Sequence, residues 1–250
     1  MRAMILAAGL GTRLRPLTDD RPKALVEING QTLLEIVLTR LHGFGIREVI
    51  INVHHFADML TAYVKSHDFG MRIEISREEE LLDTGGGLKK ASHFFLEQGS
   101  DEPFLVHNVD VLSSIDIQRM THFHRDREAL ATLAVQQRKT SRQLLFDDQL
   151  QLCGRKSGDL QPEIVRPCIN AQPFAFCGIH VISPRIFRLM SEEGAFSIIT
   201  SYLQLAQQGE KVVAFRAEEY QWRDVGKPES IKQAADELMR GALSGSMLRR

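Results

Sequence analysis

Residues 6 to 26 read LAAGLGTRLRPLTDDRPKALV. The residue types in this string suit an anion. Gly9 and Gly11 let the backbone approach a ligand closely and turn with positive φ. Exposed N–H groups in such a turn form an anion-binding nest. Arg13 can fork two hydrogen bonds onto phosphate oxygens. Lys23 is a compact charge, suited to a phosphate whose negative charge grows in a transition state. Arg15 and Arg21 add positive charge, while Pro16 and Pro22 restrict the loop. Three further strings stand out: LLDTGGGL (Leu81–Leu88), Asn108-Val109-Asp110 and Trp222-Arg223-Asp224-Val225-Gly226. Three successive glycines early in a helix cost about 1 kcal/mol each against Ala, so a packing or ligand reason is expected.

Two familiar phosphate-binding devices do not fit the opening loop. The Walker A pattern needs four residues between its glycines and a Lys-Ser/Thr pair, and it is absent. The dinucleotide fingerprint needs a third glycine where Leu14 stands, which disfavours an NAD-dependent oxidoreductase.

The elements that must position these residues alternate. Ala3–Ala8 reads as a buried strand, and Thr32–Phe44 carries a helical apolar stripe with a Thr32/Glu35 capping box. Glu48–Val53, Met71–Ser76 and Pro103–His107 read as strands, with helices over Phe56–His67 and Gly87–Leu96 between them. A helix over Ile115–Asp126 and a strand over Leu130–Val135 follow. The second half is less regular: a strand pair over Leu144–Gly154, a strand over Phe174–Ile182, a helix opening at Ser183-Pro184, closing strands over Lys211–Arg216 and Tyr220–Val225, and a helix over Pro228–Met239. The alternation implies an α/β fold: one domain over residues 1–240, a Rossmann-like mixed but mainly parallel sheet with helices on both faces, then a frayed tail over 241–250. Ligands in such sheets bind outside the carboxyl ends of the strands. The Gly9 loop and Asp110 both follow strands and are expected at that edge.

With these elements in place, the opening string resembles the signature of the sugar-1-phosphate nucleotidyltransferases. The resemblance runs from about Met1 to about Glu229. It implies that Leu6, Ala8, Gly9, Gly11, Thr12 and Arg13 hold a nucleoside triphosphate, with Arg13 and Lys23 catalytic at its phosphates. Thr84, Gly85, Gly86 and Gly87 would lie against the base and ribose, with Asn108 nearby. Asp110 and Asp224 would hold Mg²⁺, a hard cation that suits two carboxylates completed by phosphates and waters. Gly178, in PFAFCGIHVI, would let the sugar approach the backbone. The implied partners are an NTP and a sugar 1-phosphate. LLDTGGGL and the FxFCGIHVI strand are similar to N-acetylmuramic acid 1-phosphate uridylyltransferases, with mannose-1-phosphate guanylyltransferases close. Heptose-1-phosphate guanylyltransfer, phosphocholine cytidylyltransfer and a non-catalytic nucleotide-binding homologue stay open. The Glu-Lys-Pro segment that many hexose-phosphate members carry is missing. Arg138, Lys139, Arg142 and Arg166 are therefore candidates for the acceptor phosphate, each also readable as a solvated surface charge.

Composition closes other classes. Net charge is −1, so no global basic field points to nucleic acid. Three cysteines without a CxxC pair fit reduced thiols in a cytoplasm rather than a disulfide framework. The first apolar run is short and an Arg-rich segment follows it, unlike a secretory leader. No stretch approaches the ~20 apolar residues of a membrane span. The histidines match no common zinc spacing. The Glu78-Glu79-Glu80 run reads as a solvated strand-end cluster.

Overall fold

A computed structural model describes residues 1–240; the expected tail over 241–250 lies outside the described residues. The first part supplies strands β1 (Ala3–Leu6), β2 (Glu27–Ile28), β3 (Gln31–Thr32), β4 (Glu48–Val53), β5 (Arg72–Arg77), β6 (Phe104–Asn108) and β7 (Val111–Ser113), with helices α1 (Leu33–Gly43), α2 (Ala57–Ser66), α3 (Asp83–Lys90), α4 (Ser92–Leu96) and α5 (Ile117–Asp126). The second part supplies β8 (Ala131–Gln136), β9 (Arg142–Phe146), β10 (Leu152–Ser157), β11 (Glu163–Ile164), β12 (Gln172–Ile182), β13 (Val212–Arg216) and β14 (Trp222–Asp224), with α6 (Ile186–Leu189), α7 (Ile198–Gln207) and α8 (Pro228–Met239).

One ten-stranded sheet carries the fold, in the order β11-β10-β9-β12-β6-β1-β4-β5, with β8 and β13 branching from β12. The sheet is mixed, as expected, but not mainly parallel: four of its ladders are parallel and five antiparallel, because the second half adds strands by antiparallel pairing, and the two kinds are segregated. β6, β1, β4 and β5 run parallel. Beyond β6 the ladders are antiparallel, except for the parallel β8–β13 pair. β12 is the branching strand. Its first three residues pair with β9, and from Ala175 onward it pairs with β8, while Ile179–Ile182 pair with β6 on the other edge.

Strand alternation sends Ala3 and Ile5 to one face and Met4 to the other. The first face is covered by Leu34, Val37 and Leu41 of α1, Leu60 of α2 and Met120 of α5. The second is covered by Leu88 of α3, Phe94 and Phe95 of α4, and Tyr202 and Leu203 of α7. The α1 capping box forms as expected: the Glu35 N–H donates to Thr32 Oγ1 (3.1 Å), and the Thr32 N–H donates to Glu35 Oε2 (2.6 Å).

Two readings change. The helix expected over Gly87–Leu96 starts earlier, at Asp83, and breaks at Ala91 into α3 and α4, so Gly85–Gly87 lie inside a helix. α7 has no counterpart in the sequence reading. Its first turn is β-branched (Ile198, Ile199, Thr200), which masks the helical stripe continued by Tyr202, Leu205 and Ala206.

Candidate functional site

β1, β4 and β6 end level with one another. Leu6 pairs with Asn52 on one side and with Asn108 on the other. There the chain leaves the sheet. The Ala7 N–H donates to Asn52 Oδ1 (2.8 Å), so a side chain extends the ladder by one bond. Among the described residues no atom beyond its chain neighbours lies within 4 Å of where a Cβ on Gly9 would stand. Gly11 has φ +67°, a region open chiefly to glycine, and its carbonyl accepts from Thr18 Oγ1 (2.9 Å). Thr12–Leu14 then form a 3₁₀ turn. Leu14 is fully buried with Val26, Leu33, Val225 and Ala234, which leaves Arg13 facing outward. A second 3₁₀ turn, Lys23–Leu25, buries Ala24 and Leu25 and turns Lys23 inward.

The Lys23 ammonium pairs with the Asp110 carboxylate, and only 12% and 15% of these side chains are exposed. Asp110 occupies the turn between β6 and β7. β7 pairs with β14, Val111 facing Asp224, and the Val225 N–H donates to the Asp110 carbonyl (2.9 Å). Two aspartates far apart in the chain thus sit on adjoining backbone. Asp224 Oδ1 accepts from the Gly226 N–H (2.6 Å), and its Oδ2 lies 4.0 Å from Arg13 Nη2. A Cβ on Gly226 would stand 2.8 Å from Arg13 Nη2 and 2.5 Å from Asp224 Oδ1. Among the described residues no third His, Cys, Asp or Glu joins these carboxylates. Two carboxylates, each beside a cation and not locked in a cage, fit a hard divalent ion whose other positions go to water and phosphate.

A cavity of about 300 Å³ opens at this edge. Of the residues singled out in the sequence, Leu6, Ala8, Gly9, Lys23, Thr84, Asn108 and Asp110 line it. Gly11, Thr12, Arg13, Gly85, Gly86, Gly87, Gly178 and Asp224 are not among the lining residues. Gly85, Gly86 and Gly87 have a packing explanation. A Cβ on Gly85 would strike the Phe196 ring, and one on Gly86 the Gly194 carbonyl. One on Gly87 would come within 2.6 Å of Glu78 Oε1 and 2.9 Å of Asn52 Nδ2. Thr84 Oγ1 accepts from the Ile198 N–H (3.0 Å), tying α3 to α7. Gly178 has φ +71°, and a Cβ there would stand 2.7 Å from Asn108 Nδ2, so β12 crosses directly beside the cavity wall.

The four candidate cations separate. Arg166 is committed to Asp147 and to the Leu152 carbonyl (2.8 Å). Lys139 and Arg142 are exposed. Arg138 stacks on Trp222, 3.9 Å from the ring centroid, and donates to the Phe176 carbonyl (2.8 Å). The Trp222 Nε1–H donates to the Cys177 carbonyl (2.8 Å), next to Gly178. Trp222 and Asp224 share one face of β14.

Ala7, Asn52 and Glu78 also line the cavity, and sequence reasoning missed them. The solvated reading of the glutamate run holds for Glu79 and Glu80 but not for Glu78, which is only 3% exposed. Alternation along β5 carries the signal: Ser76 and Glu78 face inward while Arg77 faces out.

A glycine loop at the carboxyl edge of a mixed α/β sheet faces paired acidic and basic groups, at the place where such sheets bind ligands. The nucleotidyl transferase family profile matches residues 2–144, and the chain belongs to that family. It is an enzyme that makes nucleotide sugars. It is 35% identical over 243 residues to the N-acetylmuramate alpha-1-phosphate uridylyltransferase of Caulobacter vibrioides, across 94% of this chain and 95% of that one. It is 28% identical to the mannose-1-phosphate guanylyltransferase catalytic subunit beta of Xenopus tropicalis, across 92% of this chain but 62% of that protein's length. The fold matches HddC from Yersinia pseudotuberculosis, solved with GMP-PN (TM-score 0.76, 22% identity, 95% and 99% of the chains). It also matches a putative glucose-1-phosphate thymidylyltransferase from Bacillus anthracis (TM-score 0.78, 18% identity, 99% and 98%). Among the described residues no helix is long and apolar enough to cross a membrane.

Proposed function

We propose that residues 1–240 transfer a uridylyl group from UTP to N-acetylmuramate 1-phosphate, giving the UDP-sugar and pyrophosphate. The observation that carries this reading is the 35% identity to the Caulobacter uridylyltransferase over nearly the whole of both chains. The guanylyltransferase likeness is weaker and stops at 62% of that relative's length.

The acceptor's phosphate oxygen is already anionic and attacks the α-phosphorus in line. One O–P bond forms as the bond to pyrophosphate breaks, and no proton moves, so no general base is needed. Catalysis reduces to positioning and charge neutralisation. The backbone from Leu6 to Thr12 cradles the triphosphate, Lys23 neutralises the α-phosphate and Arg13 the departing pyrophosphate. Thr84 and Asn108 bound the nucleoside, and Gly85–Gly87 let α3 pack closely behind them. Gly178 admits the sugar, and Arg138 meets the acceptor phosphate; its seat on Trp222 beside Gly178 supports that role. Asp110 and Asp224 would hold Mg²⁺, which when bound neutralises phosphate oxygens.

The test is pyrophosphate release with Mg²⁺ over a grid of four NTPs against muramic, glucosamine, glucose, mannose and heptose 1-phosphates and phosphocholine. UTP with N-acetylmuramate 1-phosphate is expected to be the most active cell. Activity centred on GTP with mannose or heptose 1-phosphate, or on CTP with phosphocholine, replaces this substrate pair. A silent grid with tight NTP binding replaces it with a non-catalytic nucleotide-binding role.

A further inference from the structure

Glu78 is a buried carboxylate at the wall of the cavity, and among the described residues no Lys or Arg pairs with it. Burying an unpaired carboxylate is costly unless its oxygens are well supplied with donors. They are supplied from two different walls. Oε1 accepts from Asn52 Nδ2 (2.7 Å), and Oε2 accepts from the N–H of Leu82 (3.1 Å), the residue that leads into α3 and has no side-chain cap of its own. A carboxylate is favoured at that end of a helix.

The same contact fixes the Asn52 amide. The carboxylate demands the NH₂ group, so the amide oxygen must turn the other way, and there it accepts the Ala7 N–H (2.8 Å). Ala7 is the first residue past β1 and begins the glycine loop. One uninterrupted chain of hydrogen bonds therefore runs from the glycine loop, through Asn52 at the end of β4 and Glu78 just past β5, to the start of α3. Gly87 leaves the space this chain needs, since a Cβ there would press on both Glu78 Oε1 and Asn52 Nδ2.

We infer that Glu78 and Asn52 are a positioning pair that sets the spacing between the glycine loop and α3 and so tunes nucleotide affinity. The inference rests on the cavity being the nucleotide site of the proposed reaction. Neither residue takes part in the chemical step. Their loss should weaken UTP binding and leave acceptor recognition, assigned above to Gly178 and Arg138, unchanged.

The experiment is UTP titration of the full chain, followed by steady-state kinetics, for wild type, Glu78→Gln, Asn52→Ala and the double variant. Glu78→Gln is isosteric, but its amide nitrogen must face one of the two donors. Hydrogen bonds to charged groups are worth enough that each single variant should raise the UTP Kd and KM ~10- to 30-fold. The double variant should be no worse than about the larger single effect, because both break one chain. The acceptor KM at saturating UTP and kcat should stay within ~2-fold. UTP affinity unchanged while thermal stability falls would overturn the inference, as would an equal rise in the acceptor KM. If no variant folds, hydrogen exchange on the wild type decides: slow Ala7 and Leu82 amides support the chain of bonds, and fast exchange of either overturns it. A wild type that binds UTP but turns over no acceptor overturns the substrate reading alone, and the UTP Kd values still decide the positioning claim. An active enzyme whose Glu78→Gln variant keeps its UTP Kd overturns the positioning claim alone.

Discussion

The two halves of the sheet are built differently, and in the proposed reaction they divide the substrate work. The parallel half, β6-β1-β4-β5, ends in a level edge of loops, and its backbone and short side chains form the cavity. The antiparallel half hangs on β12, and what it presents near the site is Arg138, stacked on Trp222, and Gly178, whose missing side chain leaves room for the Asn108 amide of β6. A surface of backbone groups suits a phosphate chain common to every NTP. A surface of side chains can be rewritten for each acceptor. The difference accounts for a strongly patterned first 26 residues and a second half in which the Glu-Lys-Pro segment can be absent.

The halves meet at the β6–β12 seam, and that seam carries the largest expected effect. His107 and His180 lie there on adjoining strands, both fully buried. Burial pushes His107 down to about 3, helped by the Arg40 charge, and pushes His180 down to about 3, helped by His107. In the unfolded chain each titrates near 6.5. The folded pKa is the lower one, so the unfolded chain binds more protons below about pH 6.5, and stability is lost as pH falls. At pH 5 the loss is about 2 kcal/mol per histidine, or a fall of about 10 °C for the pair in thermal melts compared with pH 7.5. A flat melting temperature over that range would contradict the account of the seam.

The chemistry of the parallel half comes next. Lys23→Ala and Asp110→Ala should each lower kcat about a hundredfold, the usual cost (about 3 kcal/mol) of one electrostatic group at a reacting phosphate or oxyanion. The glycines give a sharper contrast within the same half. Gly86→Ala drives a methyl against the rigid Gly194 carbonyl and should cost about 1–3 kcal/mol in denaturant melts. Gly9→Ala meets open space and should leave stability within about 0.5 kcal/mol. The smallest effect on turnover belongs to the antiparallel half. Arg138→Met should raise the acceptor KM about tenfold, or about 1.4 kcal/mol, with the UTP Kd unchanged. A shift in UTP affinity instead would break the division between the halves.

Much of the parallel half was legible because its signals are local. Glycines, prolines and charges crowd into one loop, and the strands Glu48–Val53 and Pro103–His107 are short apolar runs between clear helical stripes. The Thr32/Glu35 box announces its helix within four residues. The antiparallel half depends on distant partners. β12 pairs with three different strands along its length, and no single-strand pattern encodes that. Glu78 reads as solvated in the sequence because it stands with Glu79 and Glu80, which are solvent-facing, and only the position just past β5 turns it inward. The glycine triplet was seen, but its packing partners Phe196 and Gly194 lie more than a hundred residues away in the chain. Arg138 could not be told from Lys139 or Arg142 by type. Stacking on Trp222 separates them.

The central claim is that this edge of the sheet, with Asp110 at its heart, moves a nucleotidyl group onto a sugar phosphate. The direct measurement is pyrophosphate release from UTP and N-acetylmuramate 1-phosphate with Mg²⁺, by wild type and Asp110→Ala side by side, with the UDP-sugar quantified in the same samples. The account predicts one UDP-sugar per pyrophosphate from the wild type, and a rate about a hundredfold lower from a folded Asp110→Ala. Wild-type turnover by a folded Asp110→Ala would contradict it.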